Sequence, residues 1–267
     1  MTVDILRDDL IHPIVSGNKW RKLKLIADYL VQEKIKHIVT FGGAYSNHLV
    51  AVSFICNYLN IKSTAFVRGD EVRIENKYES ICKENNMTLR YISREEYRNK
   101  EKLYLDNFGS ESACLMLAEG GDHPLAIESC SAILDDIKTT YDYIILSLGT
   151  GTTMEGLVKG IVDRNWNTQI IGISSLKNNF YLDKRLEKYP KNKWQVLHDY
   201  HRGKYGKMDA ELIDFIIKFN KDTSIKLEPI YTGKMFLAVK DLILNNFFKP
   251  SDKILLIHTG GLLAYPE

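Results

Sequence analysis

The stretch YIILSLGTGTTMEG, residues 143–156, decides the fold class. Its opening run, YIIL, is apolar without interruption. A strand with one wet face alternates apolar and polar residues, whereas an unbroken run marks a strand covered on both faces, as in parallel sheets flanked by helices. The turn that follows is rich in glycine and threonine, and TTMEG then opens a helical period. The same strand, small-residue turn and helix recur outward in both directions. Apolar runs at 37–41, 63–68, 89–93, 114–119, 169–175 and 253–259 read as further strands. Helical patterns fall near 20–34, 46–59, 73–85, 124–138, 152–164, 208–219 and 233–245. The fold class is therefore α/β with mostly parallel sheets. The polar stretch 176–207 reads as the longest irregular segment, and long loops in compact domains usually carry function or are disordered.

Composition narrows the function classes. A chain of 267 residues with 45% hydrophobic and 26% charged residues is an ordinary globular protein. The net charge of +2 gives no reason to expect nucleic acid or an anionic membrane as partner. No apolar run reaches membrane-spanning length, and MTVDILRDD does not read as a signal peptide. The cysteines, Cys56, Cys82, Cys114 and Cys130, lack C-x-x-C spacing and read as reduced thiols of a cytoplasmic protein.

Ligands of such sheets bind where strand ends lead into helix starts. Four junctions here are rich in small polar residues: FGGAYSNH at 41–48, EGGDHP at 119–124, GTGTT at 149–153 and HTGG at 258–261. In GTGTT the glycines permit a sharp turn, and Thr150, Thr152 and Thr153 add hydroxyls at a helix start. That suits one phosphate monoester better than a dinucleotide, which wants a closer third glycine and an acidic residue about 20 positions on; a tight turn with a threonine cap is the alternative. Ser46 or Asn47 reads as a helix cap or, beside Gly42 and Gly43, as a carboxylate-binding loop. Thr232 in PIYTGK reads as a cap or, with Tyr231, as a flank to a planar ring. His198 and His201 are spaced H-x-x-H without a third ligand, so no metal is expected. SGNKWRKLK, 16–24, places Lys19, Arg21, Lys22 and Lys24 at a helix start, where the macrodipole disfavours cations. An anion held at this point would reverse that penalty.

Taken in order, RDDLIHPIVSGNKWRKLK, FGGAYSNH, EGGDHPLA, GTGTT, PIYTGK and HTGG resemble the pyridoxal-phosphate enzymes typified by 1-aminocyclopropane-1-carboxylate deaminase and D-cysteine desulfhydrase. The resemblance runs from about Val3 to the C-terminus. It implies the tryptophan-synthase-β-like fold (fold type II): two lobes of three-layer α/β/α architecture with the cofactor, pyridoxal 5′-phosphate, between them. The small lobe is expected at 23–118 and the large lobe at 1–22 with 119–267. By the same resemblance Lys19 forms the Schiff base with the cofactor and Lys22 faces its phosphate. Thr150, Gly151, Thr152 and Thr153 form the phosphate loop. Asn47 bonds the 3′-oxygen, Ser46 lies near the substrate carboxylate and Tyr231 lies at the ring. Thr232 reaches the pyridine nitrogen, with Thr259 as a second partner, and Tyr205 in GKYGK is a further catalytic tyrosine.

The chemistry of those residue types agrees. A lysine among cations at a helix start is favoured as the neutral amine, and so as nucleophile and base. The deaminases of the family carry glutamate directly after the ring tyrosine, where this chain has Thr232, and glutamine where it has His48. A neutral partner at the ring nitrogen makes a weaker electron sink, which suffices when thiolate departs. The expected activity is a D-cysteine desulfhydrase-like elimination on a small amino acid, giving a 2-oxo acid and ammonia. Ring-opening deamination of aminocyclopropane carboxylate is the alternative, and a non-catalytic small-molecule-binding relative is a further one. A nucleotide-dependent oxidoreductase is disfavoured by the missing acidic partner. A homodimer is expected from the resemblance. The family pattern also carries an additional N-terminal segment before the first motif, so this chain is expected to start inside a strand of the large lobe.

Overall fold

Tyr143–Leu148, the run that set the fold class, is the middle strand of a five-stranded sheet. In the computed structural model, which describes residues 1–69, 75–177, 179–203, 206 and 208–264, the chain divides into two units. One comprises Met1–Asn18 with Ile127–Glu267, the other Lys19–Ala126.

In chain order the strands are β1 (Thr2–Leu6), β2 (His37–Gly43), β3 (Lys62–Arg68), β4 (Met87–Ile92), β5 (Cys114–Leu117), β6 (Tyr143–Leu148), β7 (Gln169–Ser174), β8 (Trp194–Leu197) and β9 (Lys253–Ile257). The helices are α1 (Asn18–Gln32), α2 (Asn47–Tyr58), α3 (Lys77–Glu84), α4 (Lys100–Phe108), α5 (Pro124–Ser131), α6 (Thr152–Asp163), α7 (Tyr181–Leu186), α8 (Ala210–Thr223) and α9 (Thr232–Leu244).

The first unit holds the sheet β1-β9-β6-β7-β8, parallel at every pairing. Ile144, Leu146 and Leu148 pack with Leu157, Val158 and Ile161 of α6, while Ile145 packs with Leu212 of α8 and Met235 of α9. Alternate residues of one strand thus enter two cores, which is why the run is apolar up to Ser147, whose hydroxyl meets that of Thr259. The result is three layers. A fully buried Leu or Ile contributes about 1.5–3 kcal/mol, so the two cores hold the strand ends that carry the glycine-rich turns. Gly156 in α6 lets α5 pack closely, since a Cβ there would lie 2.5 Å from the Cβ of Cys130.

The second unit holds the sheet β4-β3-β2-β5, also parallel throughout. Val39 and Phe41 pack with Phe66, Tyr97 and Phe108 on one face. α2 is buried on most of its circumference, from His48 to Ser53 and at Ile55 and Cys56. α3 starts with a capping box, Asn76 receiving Tyr78 and Glu79 N–H and the Glu79 carboxylate receiving Asn76 N–H.

Two expectations change. The 176–207 stretch is not one irregular loop: its described residues include α7, β8 and single 3₁₀ turns. β1 at the sheet edge is the strand in which the resemblance expects the chain to start, though no apolar run marks it, and the charge-rich α4 has no counterpart among the expected elements. Among the described residues no helix is long and apolar enough to cross a membrane.

Candidate functional site

In the first unit β6 ends at Leu148 and α6 starts after Gly151, which takes the left-handed conformation (φ 85°). Gly151 has no side chain to cap the helix, so the threonine cap expected as the alternative is not the arrangement found. Thr152 and Thr153 are buried in the first turn, and the Thr150 and Thr152 hydroxyls lie 3.2 Å apart. Asn18 Nδ2 donates to Thr153 Oγ1 at 3.5 Å. The turn is braced from outside. Tyr181 OH donates to the Thr150 carbonyl, Arg185 Nη1 reaches the same oxygen at 3.5 Å, and Leu182 packs over Gly151. Glu155, buried one turn into α6, is ion-paired to Arg185 and to Lys188 at 2.6 Å, so its charge is answered within this unit. What remains is a helix start lined by hydroxyl and N–H donors, with its dipole favouring an anion.

α9 starts differently. Glu228 lies fully buried with its carboxylate receiving N–H bonds from Ile230 at 2.7 Å, Tyr231 at 2.9 Å and Thr232 at 2.6 Å. Burial raises its pKa, and these bonds oppose the rise. Thr232 is not the cap. It is the first residue of the helix and wholly buried; its hydroxyl accepts from Glu228 N at 3.0 Å and donates to Glu228 Oε1 at 3.1 Å. Its one proton is therefore committed to Glu228. Thr259, by contrast, meets Ser147 Oγ at 3.1 Å, a pair in which either hydroxyl can turn. The Tyr231 ring lies against the Gly149 turn, where a Cβ would be 3.4 Å from Tyr231 Cε1.

The HTGG segment is interlocked with the start of α1. Gly17 (φ 62°) donates to Asp8 O at 2.9 Å, and Asn18 N donates to Thr259 O at 3.1 Å. Beneath it Arg7 holds Asp9 through two bonds, at 2.8 and 2.7 Å. His258 donates through Nε2 to Lys226 O at 2.7 Å and accepts Gly260 N at Nδ1.

In the second unit Lys19 is half-buried and Lys22 nearly fully buried, both in the first turns of α1, which has no acidic residue there. Lys22 Nζ donates to Gly120 O at 2.8 Å. Lys24 is exposed. Ser46 caps α2, accepting Leu49 N at 3.4 Å, and Asn47 is the helix's first residue; both are half-buried. His48 is buried, bonded through Nε2 to Thr40 Oγ1 at 2.8 Å. Burial, then the charges of Lys19 and Lys22, hold its pKa well below the usual histidine value.

Thus the second unit gathers Lys19, Lys22, Ser46 and Asn47 at the starts of α1 and α2. The first unit gathers Thr150, Gly151, Thr152, Thr153, Tyr231, Thr232 and Thr259 at the ends of β6 and β9 and the start of α9. Tyr205 lies outside the described residues. The sequence reading missed Glu228, Ser147, Thr40 and the Tyr181–Arg185 brace. Only Glu228 left a signal, an acid four residues before a helix start. Among the described residues one potential metal-ligand group converges, His37, Glu111 and Cys114, with ligand atoms within 4.8 Å of one another. His37 already uses one ring nitrogen on Glu111 and the other on Thr64, each at 2.9 Å, and burial pushes the Cys114 thiol up, so the group closes on itself.

Two buried histidines make stability pH-dependent. Burial lowers His48 and His258 below 6.5, so below that pH the unfolded chain binds protons that the folded chain refuses. Their contribution is whole above 6.5 and is lost as pH falls through it. Glu228, raised above 4.5, acts in the opposite sense, adding stability as pH falls from its raised value to about 4.5. A comparison of wild type with His48→Gln isolates one histidine. The wild type should lose stability relative to the variant by up to about 1.4 kcal/mol per pH unit as pH falls below about 6.5. Parallel denaturation curves for the two proteins at every pH would contradict this.

A profile of the family described as pyridoxal-phosphate dependent enzyme matches residues 5–260. The chain is 26% identical over 300 residues to a mitochondrial bifunctional D-cysteine desulfhydrase/1-aminocyclopropane-1-carboxylate deaminase of Arabidopsis thaliana, covering 97% of this chain and 72% of that protein. It is 22% identical over 298 residues to a D-cysteine desulfhydrase of Serratia proteamaculans, covering 98% and 88%. Among solved structures, a homologue of 1-aminocyclopropane-1-carboxylate deaminase superposes with a TM-score of 0.86 at 24% identity, over 98% of this chain and 85% of that one, and so shares the fold.

Proposed function

The chain belongs to the pyridoxal-phosphate dependent enzymes, and from that premise we propose that it eliminates a β-substituent from a small amino acid as a D-cysteine desulfhydrase does, releasing a 2-oxo acid and ammonia. Its cofactor is pyridoxal phosphate, and its fold is that of the fold type II enzymes of this class. The observation that carries the reading is the start of α6. Gly151 leaves it without a side-chain cap, threonine hydroxyls surround it, and Glu155, the acid in its first turn, is neutralised by Arg185 and Lys188. That donor set fits a phosphate monoester.

When bound, the cofactor draws electrons from the substrate α-carbon so that a proton and a β-substituent can depart. Thr150, Gly151, Thr152 and Thr153 would hold its phosphate. Lys22, whose ammonium is anchored on Gly120 O, would add a cation. Lys19 would carry the aldehyde, and its amine, displaced by the substrate, would take the α-proton. Asn47 would bond the 3′-oxygen, and Ser46, while capping α2 through its lone pair, keeps a proton to give the substrate carboxylate. Tyr231 would flank the ring and Tyr205 would act beside the substrate. For the ring nitrogen we favour Thr259 over Thr232, because the Thr232 proton is committed to Glu228 whereas the Thr259–Ser147 pair can turn.

That choice leaves a neutral hydroxyl at the ring nitrogen. A neutral partner supports a reaction with a good leaving group, and thiolate is one. The second reading, deamination of aminocyclopropane carboxylate, is supported by the two activities in the name of the Arabidopsis relative. A panel of D-cysteine, L-cysteine, D-serine, β-chloro-D-alanine and aminocyclopropane carboxylate, scored by 2-oxo acid release, separates the two. Turnover of D-cysteine is expected; turnover of aminocyclopropane carboxylate with none of D-cysteine reverses the order. Purified protein should be yellow, and borohydride should bleach it and fix the cofactor on Lys19. A colourless protein that takes up no added pyridoxal phosphate removes both readings. We also take the protein to be a cytoplasmic homodimer, and sedimentation should return twice the chain mass.

A further inference from the structure

The two ring nitrogens of His48 are held in different states. Nε2 lies 2.8 Å from Thr40 Oγ1, and that hydroxyl lies 2.8 Å from the carbonyl of Leu117. A carbonyl cannot donate and a hydroxyl has one proton, so Thr40 donates to Leu117 and accepts from His48. Nε2 therefore carries the imidazole proton, and Nδ1 of the neutral ring is a bare lone pair. His48 is 2% exposed, and among the described residues Nδ1 has no hydrogen-bond partner. An acceptor buried without a donor is destabilising, a cost that a ligand's donor would remove.

The surroundings of Nδ1 fit that purpose. Gly121 takes a left-handed conformation (φ 72°) beside the ring. A Cβ there would sit 3.5 Å from Nδ1 and 3.6 Å from Lys22 Cδ, so a methyl-sized space adjoins both. Burial, then the charges of Lys19 and Lys22, keeps the ring neutral. A carboxylate is unsuited to this position, because its lone pairs would face that of Nδ1. A thiol or hydroxyl is suited to it.

We propose that His48 Nδ1 is a fixed hydrogen-bond acceptor for a thiol or hydroxyl on the β-carbon of the substrate, and that it selects amino acids carrying such a group. Thr40 is the positioning residue that keeps the proton on Nε2. The inference rests on the reaction proposed above and names the substrate class for it. A site built around a hydrogen bond to the substrate rejects analogues lacking the group by factors of about 10⁴–10⁵, so loss of the acceptor should be visible as loss of preference.

Two measurements test it. Nitrogen-15 NMR of the cofactor-free protein should find the His48 proton on Nε2, with Nδ1 unprotonated. Thr40→Val should disturb that assignment and Thr40→Ser should restore it. A proton on Nδ1 in the wild type would overturn the proposal without any assay of turnover. In the protein loaded with pyridoxal phosphate, His48→Leu should lower kcat/KM for D-cysteine and D-serine about 100-fold more than for β-chloro-D-alanine, which has no proton to give. His48→Gln, which keeps an acceptor oxygen, should recover most of the preference. Equal losses for all three substrates in a yellow variant would make His48 a structural residue and overturn this inference alone. A colourless wild-type protein would overturn the functional reading and the substrate preference with it.

Discussion

Lys19→Ala is expected to lose turnover by about 10⁴-fold or more, since it removes the residue given both the covalent and the proton-transfer role. The same substitution should leave folding intact or slightly improve it. Lys19 is half-buried in the first turn of α1, a turn that contains no acidic residue and where the helix dipole disfavours a cation. Its removal relieves about 0.3–1 kcal/mol of that penalty, and alanine is the better helix former. Opposite signs on activity and stability separate a chemical role from a structural one, because a lysine that mattered only for packing would lose both together. Borohydride should no longer fix the cofactor, which the variant should retain only reversibly and release on dialysis.

Lys22→Ala supplies the contrast. Lys22 is 3% exposed and its ammonium is held by Gly120 O. Its loss should weaken retention of the cofactor while leaving borohydride fixation on Lys19 possible at saturating cofactor. Wild-type rates in Lys19→Ala would end the assignment of Lys19 and transfer the question to Lys234, whose pKa burial lowers.

How much of this was legible in the sequence depends on the range of the contacts involved. β2, β3, β6, β7 and β9 announced themselves because each is covered on both sides and so reads as a short run of mostly apolar and β-branched residues. β1 did not, because an edge strand with exposed residues has no such run. β8 is four residues long inside a polar stretch, and its signal lies in the two buried positions Trp194 and Val196. α4 is written mainly in charges, KEKLYLDNF, with only Phe108 buried.

The site divides in the same way. GTGTT and GNK are local patterns and could be read directly. The state of His48 could not, because it is fixed by a chain of bonds from His48 to Thr40 and on to Leu117, 77 positions further along the sequence. Nor could the commitment of Thr232, whose hydroxyl suits a ligand as well as a cap until the position of the Glu228 carboxylate is known. Residue type gives a donor its capacity; the fold decides which partner has already claimed it.

The largest structural effect is expected at Gly17, for a reason that also spans the chain. A Cβ built there would lie 1.9 Å from the carbonyl oxygen of Thr259 and 2.3 Å from its carbon, and both are backbone atoms that no rotamer change can move. The left-handed φ of 62° adds about 1–2 kcal/mol for any residue with a Cβ. Gly17→Ala must therefore push apart the 16–18 and 258–260 segments, breaking the Asn18 N to Thr259 O bond of 3.1 Å. The combined cost should reach about 3–5 kcal/mol, in the range reserved for strain and lost buried hydrogen bonds, and lower the melting temperature by about 6–15 °C for a chain of this size. The variant should also fix less cofactor with borohydride, because Lys19 is two residues from the displaced glycine and inherits its shift. Gly206→Ala is the control: Gly206 also has a left-handed φ, of 72°, but among the described residues, its chain neighbours aside, no atom lies within 4 Å of its Cβ position. If the two variants melted alike, the backbone clash would not be the cause, and conformational strain alone would have to explain both.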